Sequence, residues 1–372
     1  MENPDYYEIV RQKLTLGPVY TPKHEKIYEL LKIFWNEEEI KILAHFDGAD
    51  KYHSLRELEK RTGIPRDEIK RILERPLQMG TISKPASKYS LIPILPGIFE
   101  KYFIARADSE ENMKKAAKIY RFLFKEFAPQ LFRENKFKLF RPLLPLDAQE
   151  NLIAINETFE LESQVLPYEI VNNLLDRYDT FSVVPCQCRL IGEITGEPCS
   201  KASSELGCFL AGSVASAGIE AGLPSFNKEE ARAFLKKTEK AGLIHNCIAD
   251  NSVESSLFIC NCCSCHCGTL MSLNNQVIAI MKSNFEPRID NELCERCEVC
   301  MGKCQLGAIT HHWPNESDSS DDYMYIKEEK CIGCGVCATN CPNQAIKMVK
   351  IRYNKFEEKH KLGSKTFLEM IM

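Results

Sequence analysis

The sequence predicts an α+β protein of several domains. Amphipathic helices followed by a short hairpin pattern occupy about 37–95, mixed strand and helix patterns with many cysteines follow, and a four-cysteine spacing occurs twice near the end. With 372 residues, the chain exceeds the usual length of one domain. We expect a helical domain at 1–140, a cysteine-rich α/β module at 141–283, a domain with the repeated cysteine spacing at 284–350 and a C-terminal tail at 351–372.

Composition and charge narrow the possible functions. The chain has 48 Lys+Arg against 52 Asp+Glu residues, and its formal net charge of -4 argues against a protein whose main task is to bind phosphates. The composition also excludes a disordered or collagen-like chain. Residues 1–10 are polar and acidic rather than a secretory signal, and no apolar run approaches the roughly 18 residues of a membrane span. We therefore expect a cytoplasmic protein with reduced thiols.

The N-terminal domain carries clear helix signals. Asn36 followed by Glu39, and Ser54 followed by Glu57, are capping-box signatures that start two helices. A third helix with an apolar face follows after a three-residue turn, and a short hairpin pattern comes next. Three helices and a hairpin in this order are typical of a winged helix, which we predict at about 37–95.

The 18 cysteines all lie between Cys186 and Cys341. In a reducing compartment such clusters are more often metal sites than disulfides. The strongest signal is the spacing C-x2-C-x2-C-x3-C, which occurs at 294–304 and again at 331–341. It is the spacing of bacterial-type ferredoxins with two [4Fe-4S] clusters, in which the fourth cysteine of each run binds the other cluster. Zinc sites use paired C-x2-C units instead.

The crossed arrangement divides these eight cysteines into two expected ligand sets. The first is Cys294, Cys297, Cys300 and Cys341, and the second is Cys331, Cys334, Cys337 and Cys304. We expect Gly333 and Gly335 to let backbone amides approach the cluster sulfurs. Gln305 stands where such ferredoxins usually have proline after the fourth cysteine, so the loop there is expected to differ in shape.

A second group of cysteines precedes the repeats. Its candidate metal ligands are Cys186, Cys188, Cys199, Cys208, Cys260, Cys262, Cys263, Cys265 and Cys267. In an extended segment, Cys263, Cys265 and Cys267 share one face and Cys260 and Cys262 the other. The vicinal pair 262–263 is therefore expected to serve different sites, or one member serves none. We expect one or two further [4Fe-4S] clusters here, with zinc, or buried apolar cysteines without metal, as alternatives.

Some residues near these cysteines are expected to have other roles. Cys247 stands alone and is predicted to be a core residue. His266, between two softer ligands, is predicted to be a neighbour or hydrogen-bond donor rather than a ligand. Arg189 is expected to offset the negative charge of thiolates. His311 and His312 are predicted to lie in a loop without a role.

The whole arrangement resembles the 4Fe-4S dicluster-domain iron–sulfur proteins of anaerobic bacteria and archaea. The resemblance rests on the phrase PGIFE at 96–100, the CQCR hook at 186–189, the CNCC run at 260–263 and the ferredoxin repeats. That family usually has an unbroken cysteine triplet where this chain has cysteine, histidine and cysteine at 265–267. The resemblance implies electron transfer beside an oxidoreductase partner.

Three functions remain open on the sequence. The favoured one is an iron–sulfur protein or subunit that relays single electrons to or from an oxidoreductase or electron-carrier partner. The second is a redox-sensing winged-helix transcription regulator. However, the third helix mixes Arg66 and Arg71 with Asp67 and Glu68, so a nucleic-acid partner is not expected. The third is a redox enzyme with a catalytic cluster at 186–267, for which no familiar catalytic motif is present.

Overall fold

The computed structural model describes residues 4–16, 20–49, 51–135, 140–146, 153–154, 171–248, 256–274, 277, 279–313 and 322–351. The chain divides into two compact units. The first holds the described residues up to Leu123 together with Leu190–Pro198. The second holds the described residues from Phe124 to Arg189 and those from Cys199 onward.

The chain contains both helices and mainly antiparallel sheets, so the α+β class is confirmed. The helices are α1 (Tyr6–Lys13), α2 (Glu25–Phe34), α3 (Glu37–Leu43), α4 (Leu55–Thr62), α5 (Arg66–Gln78), α6 (Phe99–Ala105), α7 (Glu110–Asn135), α8 (Val171–Leu175), α9 (Gln187–Ile194), α10 (Ser213–Glu220), α11 (Lys228–Lys240), α12 (Gly268–Asn274), α13 (Val299–Lys303) and α14 (Val336–Thr339). The strands are β1 (Ile82–Ser83), β2 (Ser90–Leu91), β3 (Phe140–Pro142), β4 (Ile153–Ala154), β5 (Phe181–Val184), β6 (Cys208–Gly212), β7 (Ser225–Phe226), β8 (Ile244–Ile248), β9 (Ser256–Cys262), β10 (Phe285–Ile289), β11 (Ile309–His312), β12 (Tyr323–Ile326) and β13 (Ile346–Lys350). Within the described ranges, no helix is both long enough and apolar enough to cross a lipid bilayer.

The first unit is mainly helical. Helices α3, α4 and α5 are followed by the antiparallel pair β1–β2, in which Ile82 lies opposite Leu91. The backbone of His53, between α3 and α4, bridges to Tyr89 beside this pair. Local sequence therefore produces three helices and a hairpin in the predicted order.

The two predicted capping boxes fix the starts of α3 and α4. The Asn36 side chain accepts a hydrogen bond from the Glu39 backbone N–H, and the Glu39 carboxylate accepts one from the Asn36 N–H. Ser54 and Glu57 form the same reciprocal pair. Each box satisfies backbone donors that a helix start would otherwise leave without partners. These helix starts are therefore dictated by local sequence.

The second unit is built on a six-stranded sheet. Its strand order is β3–β8–β9–β6–β5–β7, and each neighbouring pair is antiparallel. Alternate residues of a strand face opposite sides of a sheet. Phe209 and Ile259 accordingly fill a hydrophobic core that includes Leu235 of α11. The alternation directs Cys208 and Cys260 to the opposite face.

In the segment where the cysteine spacing occurs twice, the same secondary structure also occurs twice. Strand β10, helix α13 and strand β11 are followed by strand β12, helix α14 and strand β13. Strand β10 pairs antiparallel with β13, and β11 pairs antiparallel with β12. In each half the cysteine-bearing loop precedes the short helix. Apolar side chains from both halves, including Ile309 and Ile346, share one core.

The two units do not follow the predicted domain limits. The first division falls after Leu123 rather than after residue 140. The predicted limit at 283–284 is no break in packing, because β4 pairs in parallel with β13 and Leu144 packs in the core of the cysteine repeats. Long-range strand pairing of this kind leaves no local signal in the sequence. Apart from its first residue, the predicted tail at 351–372 lies outside the described residues.

Packing next to β6 requires a glycine at position 207. A Cβ built there would lie 1.9 Å from the Val184 carbonyl oxygen and 2.7 Å from the Cys186 backbone nitrogen. We expect Gly207→Ala to lower the free energy of unfolding by about 3 kcal/mol, because backbone atoms cannot move aside as flexible side chains do. Urea unfolding under anaerobic conditions measures this. Gly302→Ala is the control, since a Cβ there meets nothing within 4 Å; an equal loss in both variants would contradict the packing argument.

Candidate iron–sulfur and metal sites

Three cysteines of the first repeat lie with the last cysteine of the second. Cys294, Cys297, Cys300 and Cys341 line one pocket, together with apolar side chains such as Ile346. Burial raises the pKa of the Cys300 thiol to about 11, and the neighbouring Cys294, Cys341 and Cys297 thiols add to the shift. Four thiols from two distant chain segments therefore surround one space.

The fourth cysteine of the first repeat lies with the other set. Burial raises the pKa of Cys334 to about 12, with further contributions from Cys331 and Cys304. The pKa of Cys337 is also raised, first by burial and then by neighbours that include Cys304. Cys304 follows α13 directly, so the end of this helix carries its thiol toward the second repeat.

Glycines allow the second cysteine loop to pack tightly. Gly333 has φ +72, and a Cβ there would lie 2.1 Å from the Phe285 carbonyl oxygen. Gly335 has φ +76, and a Cβ there would lie 2.7 Å from the Pro145 ring. Both positions combine a left-handed backbone, which disfavours a side chain, with a close neighbour that leaves no room for one.

Six of the nine candidate ligands that precede the repeats lie together, apart from both repeat sets. We call them the six-thiol group: Cys186, Cys188, Cys208, Cys260, Cys262 and Cys267. Its members are linked by successive sulfur contacts, and the Sγ atoms of Cys208 and Cys260 lie 3.8 Å apart. The thiols come from the ends of β5, β6 and β9, the start of α9 and the residue before α12. All six are buried or half-buried.

The other three candidates form a separate group with a histidine, which we call the tetrad: Cys199, Cys263, Cys265 and His266. Their ligand atoms all lie within 4.8 Å of one another. The Cys199 and Cys265 Sγ atoms are 3.4 Å apart, and His266 Nδ1 lies 3.1 Å from Cys265 Sγ. Hydrogen bonds from Cys263, Cys265 and His266 lower the pKa of Cys199.

The turn after β9 explains why one cysteine lies in a different thiol group from the one that the sequence predicts. Cys262 and Cys263 contact different groups, in line with the prediction for this vicinal pair. Cys267, however, hydrogen-bonds with Cys262, and Cys263 acts on it only through its charge. The strand ends at Cys262, and the chain then turns so that the Cys267 N–H donates to the Cys263 carbonyl at 3.2 Å. An extended-chain pattern does not apply beyond that point.

Arg189 is the cation among these thiols, as expected. Its side chain is 0% exposed and donates hydrogen bonds to three backbone carbonyl oxygens, those of Ser203 (3.0 Å), Asn261 (2.8 Å) and Leu206. Burial by itself would lower its pKa, but the neighbouring Cys186 and Cys263 sulfurs raise it overall. A guanidinium in this position offsets the negative charge of thiolates on both sides.

A buried amide also faces the six-thiol group. Asn246 lies opposite Cys260 in the β8–β9 pair and is 0% exposed. Its side-chain nitrogen and oxygen have no hydrogen-bond partner among the described residues, and the amide is near enough to Cys262 to help lower the pKa of that thiol. Buried polar groups are normally satisfied. The orientation of this amide fits a site that holds further sulfur atoms, since cluster sulfides accept N–H hydrogen bonds.

Two amide side chains join the ferredoxin repeats to the end of α11. Gln305 donates to the Gly242 carbonyl at 2.7 Å and accepts from the Ser264 N–H and hydroxyl at 3.2 and 3.1 Å. Asn340 donates to the Glu239 carbonyl at 3.1 Å. Gln305 follows Cys304 in sequence and Asn340 precedes Cys341. Gln305 therefore makes a connection that the usual proline at this position could not make.

Other predicted roles are settled by burial and hydrogen bonding. Cys247 lies in the hydrophobic core at 0% exposure, as predicted. His311 is not in a loop but in β11, where its ring contacts Glu298 and Asp322 oxygens at 2.8 and 2.7 Å. These two contacts raise the pKa of His311. His312 also belongs to β11.

A buried polar network that the sequence did not suggest supports this region. The Asn261 amide donates to the Gly207 carbonyl at 2.7 Å, and its oxygen lies 2.6 Å from His245 Nδ1. His245 Nε2 lies 3.0 Å from Glu239 Oε1, and that oxygen accepts the Leu146 N–H at 2.8 Å. The only signal in the sequence was a polar residue at 261 between two cysteines of a strand.

Comparison with known proteins agrees with the thiol geometry. The 4Fe-4S binding domain family matches residues 324–347. The chain is 32% identical over 87 residues to a probable iron–sulfur subunit encoded in the Frd operon of Proteus vulgaris, which covers 20% of this chain and 50% of that protein. It is 36% identical over 95 residues to an uncharacterized ferredoxin of Methanocaldococcus jannaschii, with 24% and 50% covered. The chain thus spans about half the length of these two relatives.

A further relative is covered more fully. The chain is 36% identical over 66 residues to the pyruvate synthase subunit PorD of Methanocaldococcus jannaschii, which covers 18% of this chain and 69% of that protein. No solved structure matches the chain. The paired thiol groups, the 4Fe-4S domain match and these relatives have one explanation: the chain belongs to the ferredoxin-type family of 4Fe-4S iron–sulfur proteins.

Proposed function

We propose that this protein relays single electrons through two [4Fe-4S] clusters and a third thiolate-bound centre to or from an oxidoreductase or electron-carrier partner. The observation that carries the proposal is the grouping of Cys304 with the second repeat and Cys341 with the first. When bound, each cluster supplies a site that accepts and returns one electron. The thiols hold it, and the surrounding apolar side chains limit its access to water.

The proposed ligand sets follow the two thiol groups of the repeats. Cys294, Cys297, Cys300 and Cys341 would hold one cluster, and Cys331, Cys334, Cys337 and Cys304 the other. Cys297 is exposed whereas Cys300 and Cys337 are buried. Electrons would therefore enter or leave the first cluster over the surface around Cys297, because transfer between proteins needs a short distance.

The six-thiol group would hold the third centre. It offers more thiols than the four that a [4Fe-4S] cluster uses. The Arg189 guanidinium and the buried Asn246 amide supply the positive charge and N–H donor that a metal–sulfur centre needs around it. Gln305, the residue after Cys304, accepts hydrogen bonds from Ser264, two residues after Cys262. The second cluster and this centre would therefore lie on one hydrogen-bonded path.

The partner is proposed from the relatives. The names of two of them describe subunits, one from an frd operon and one of pyruvate synthase. By analogy, this chain would serve an oxidoreductase as its electron-transfer component. A cytoplasmic location in an anaerobic cell belongs to the same proposal, because many reduced thiols persist only in a reducing compartment.

The N-terminal helices and hairpin would dock a partner protein or support the fold rather than bind DNA. The arginines of α5 are already paired with carboxylates of the same unit. Arg66 lies 2.9 Å from Glu59, and Arg71 lies 2.9 Å from Glu38. Arg75 lies 2.7 Å from a buried carboxylate at position 39. DNA binding depends on basic side chains that can reach phosphates, and paired arginines supply little of that charge.

Crossed ligation is testable by comparing cysteine variants of the full chain. We expect Cys304→Ala, purified anaerobically, to lose about four irons per chain. The EPR spectrum of its dithionite-reduced form should match that of Cys334→Ala, because both variants would lack the same cluster. Cys297→Ala should give the complementary spectrum. If Cys304→Ala matched Cys297→Ala instead, each repeat would hold its own cluster and the crossed assignment would be wrong.

The third centre is testable by metal content. The unmodified chain should contain more than the roughly eight irons of two clusters. We expect Cys260→Ala to reduce the iron content to about eight, because Cys260 contacts two other thiols of the six-thiol group. Cys247→Ala is the matched control, since Cys247 is a buried core thiol outside both groups. An unmodified chain with only about eight irons would refute an iron centre at this site.

The role of the N-terminal unit is testable with DNA. We expect no sub-micromolar binding of duplex DNA by the full chain at physiological salt. Fluorescence anisotropy over a range of salt concentrations provides the measurement. Tight binding that weakens steeply with added salt would show release of counterions from phosphates. That result would favour the transcription-regulator alternative over docking.

A further inference from the structure

We propose that the tetrad of Cys199, Cys263, Cys265 and His266 is a mononuclear zinc site, separate from the iron–sulfur centres. The residues are drawn from the loop after α9 and the turn after β9. Their ligand atoms already lie within 4.8 Å of one another. The site would hold the two segments together.

The distances fit one ion better than a cluster. A tetrahedral zinc ion with Zn–S bonds of about 2.3 Å and a Zn–N bond of about 2.0 Å places its ligand atoms about 3.5–3.8 Å apart. The Cys199–Cys265 Sγ distance is 3.4 Å, and the His266 Nδ1–Cys265 Sγ distance is 3.1 Å. In the six-thiol group, by contrast, contacts join only successive thiols along the group. A cubane binds each thiolate on a different iron and therefore needs that wider spread, whereas one ion needs ligand atoms that are all mutually close.

The donor set also favours zinc. Three thiolates and one imidazole form a common closed set for structural zinc. Nδ1 of His266 is the nitrogen that faces Cys265, and the imidazole is 5% exposed. Four protein ligands leave no open coordination position, so we assign the site a structural role rather than a catalytic one.

Arg189 lies between the two groups. Its guanidinium interacts with Cys186 and Cys208 of the six-thiol group and with Cys263 of the tetrad. A cation at this point lets two anionic metal–thiolate groups lie close together without merging. The vicinal pair 262–263 accordingly supplies one thiol to each group.

The proposed ion would stabilise the turn that shapes the six-thiol group. Cys263 and Cys265 flank Ser264, which hydrogen-bonds to Gln305. The same turn carries Cys267 back toward Cys262. Fixing the turn at Cys199 would therefore fix the position of Cys267 as well.

The test is the metal content of the full chain purified without oxygen. We expect about one zinc per chain in addition to iron. Cys199→Ser should lose this zinc and keep the iron of the ferredoxin repeats, whereas Cys247→Ser should lose neither. X-ray absorption at the zinc edge should show one nitrogen and three sulfur ligands. In His266→Cys, zinc should remain, with four sulfur ligands and no nitrogen.

Three results would overturn the proposal. A chain that contains iron but no zinc would exclude a zinc tetrad, as would zinc that Cys199→Ser retains in full. Loss of about four irons from Cys199→Ser would assign the tetrad to a cluster instead. None of these results bears on the ferredoxin clusters, because their iron and EPR signals depend on the eight cysteines of the repeats.

Discussion

The buried guanidinium of Arg189 is the interaction on which the cysteine-rich half of the second unit depends. Its three carbonyl partners lie in the segment leading to Cys208 and in the strand that carries Cys260. One side chain therefore sets the spacing between the segments that supply most of the thiols. Removing a cation from water costs several kcal/mol unless a nearby negative charge compensates. Deprotonated thiols holding the proposed metal centres would supply that charge, so the fold and the metal content would stabilise each other.

The ferredoxin repeats and the cysteine-rich sheet lie in one compact unit and are joined by polar contacts. The C-terminal end of α11 accepts hydrogen bonds from both Asn340 and Gln305, each adjacent to a cysteine that crosses between the repeats. The carboxylate of Glu239, on the same helix, continues into a buried network through His245 to Asn261. Polar contacts of this kind are favourable only when every group is satisfied, which restricts the arrangement to one geometry.

Sequence reasoning succeeds where the signal is local and periodic. The two capping boxes and the order of three helices and a hairpin follow from neighbouring residues. It fails where distant segments meet. The pairing of β4 with β13 has no local signal. The two softer ligands beside His266 predict only a neighbouring role for it, yet the turn after β9 brings its ring into the tetrad. A spacing rule cannot describe a chain that reverses direction.

Crossed cysteines have a consequence for how the protein matures. If Cys341 completes the site begun by Cys294, then a nascent chain cannot close its first cluster until the last cysteine has left the ribosome. The second cluster needs Cys304, which has been available since the earlier repeat was made. Both ferredoxin clusters would therefore be inserted late and at nearly the same time. A truncated product that ends between the repeats would carry neither ferredoxin site complete.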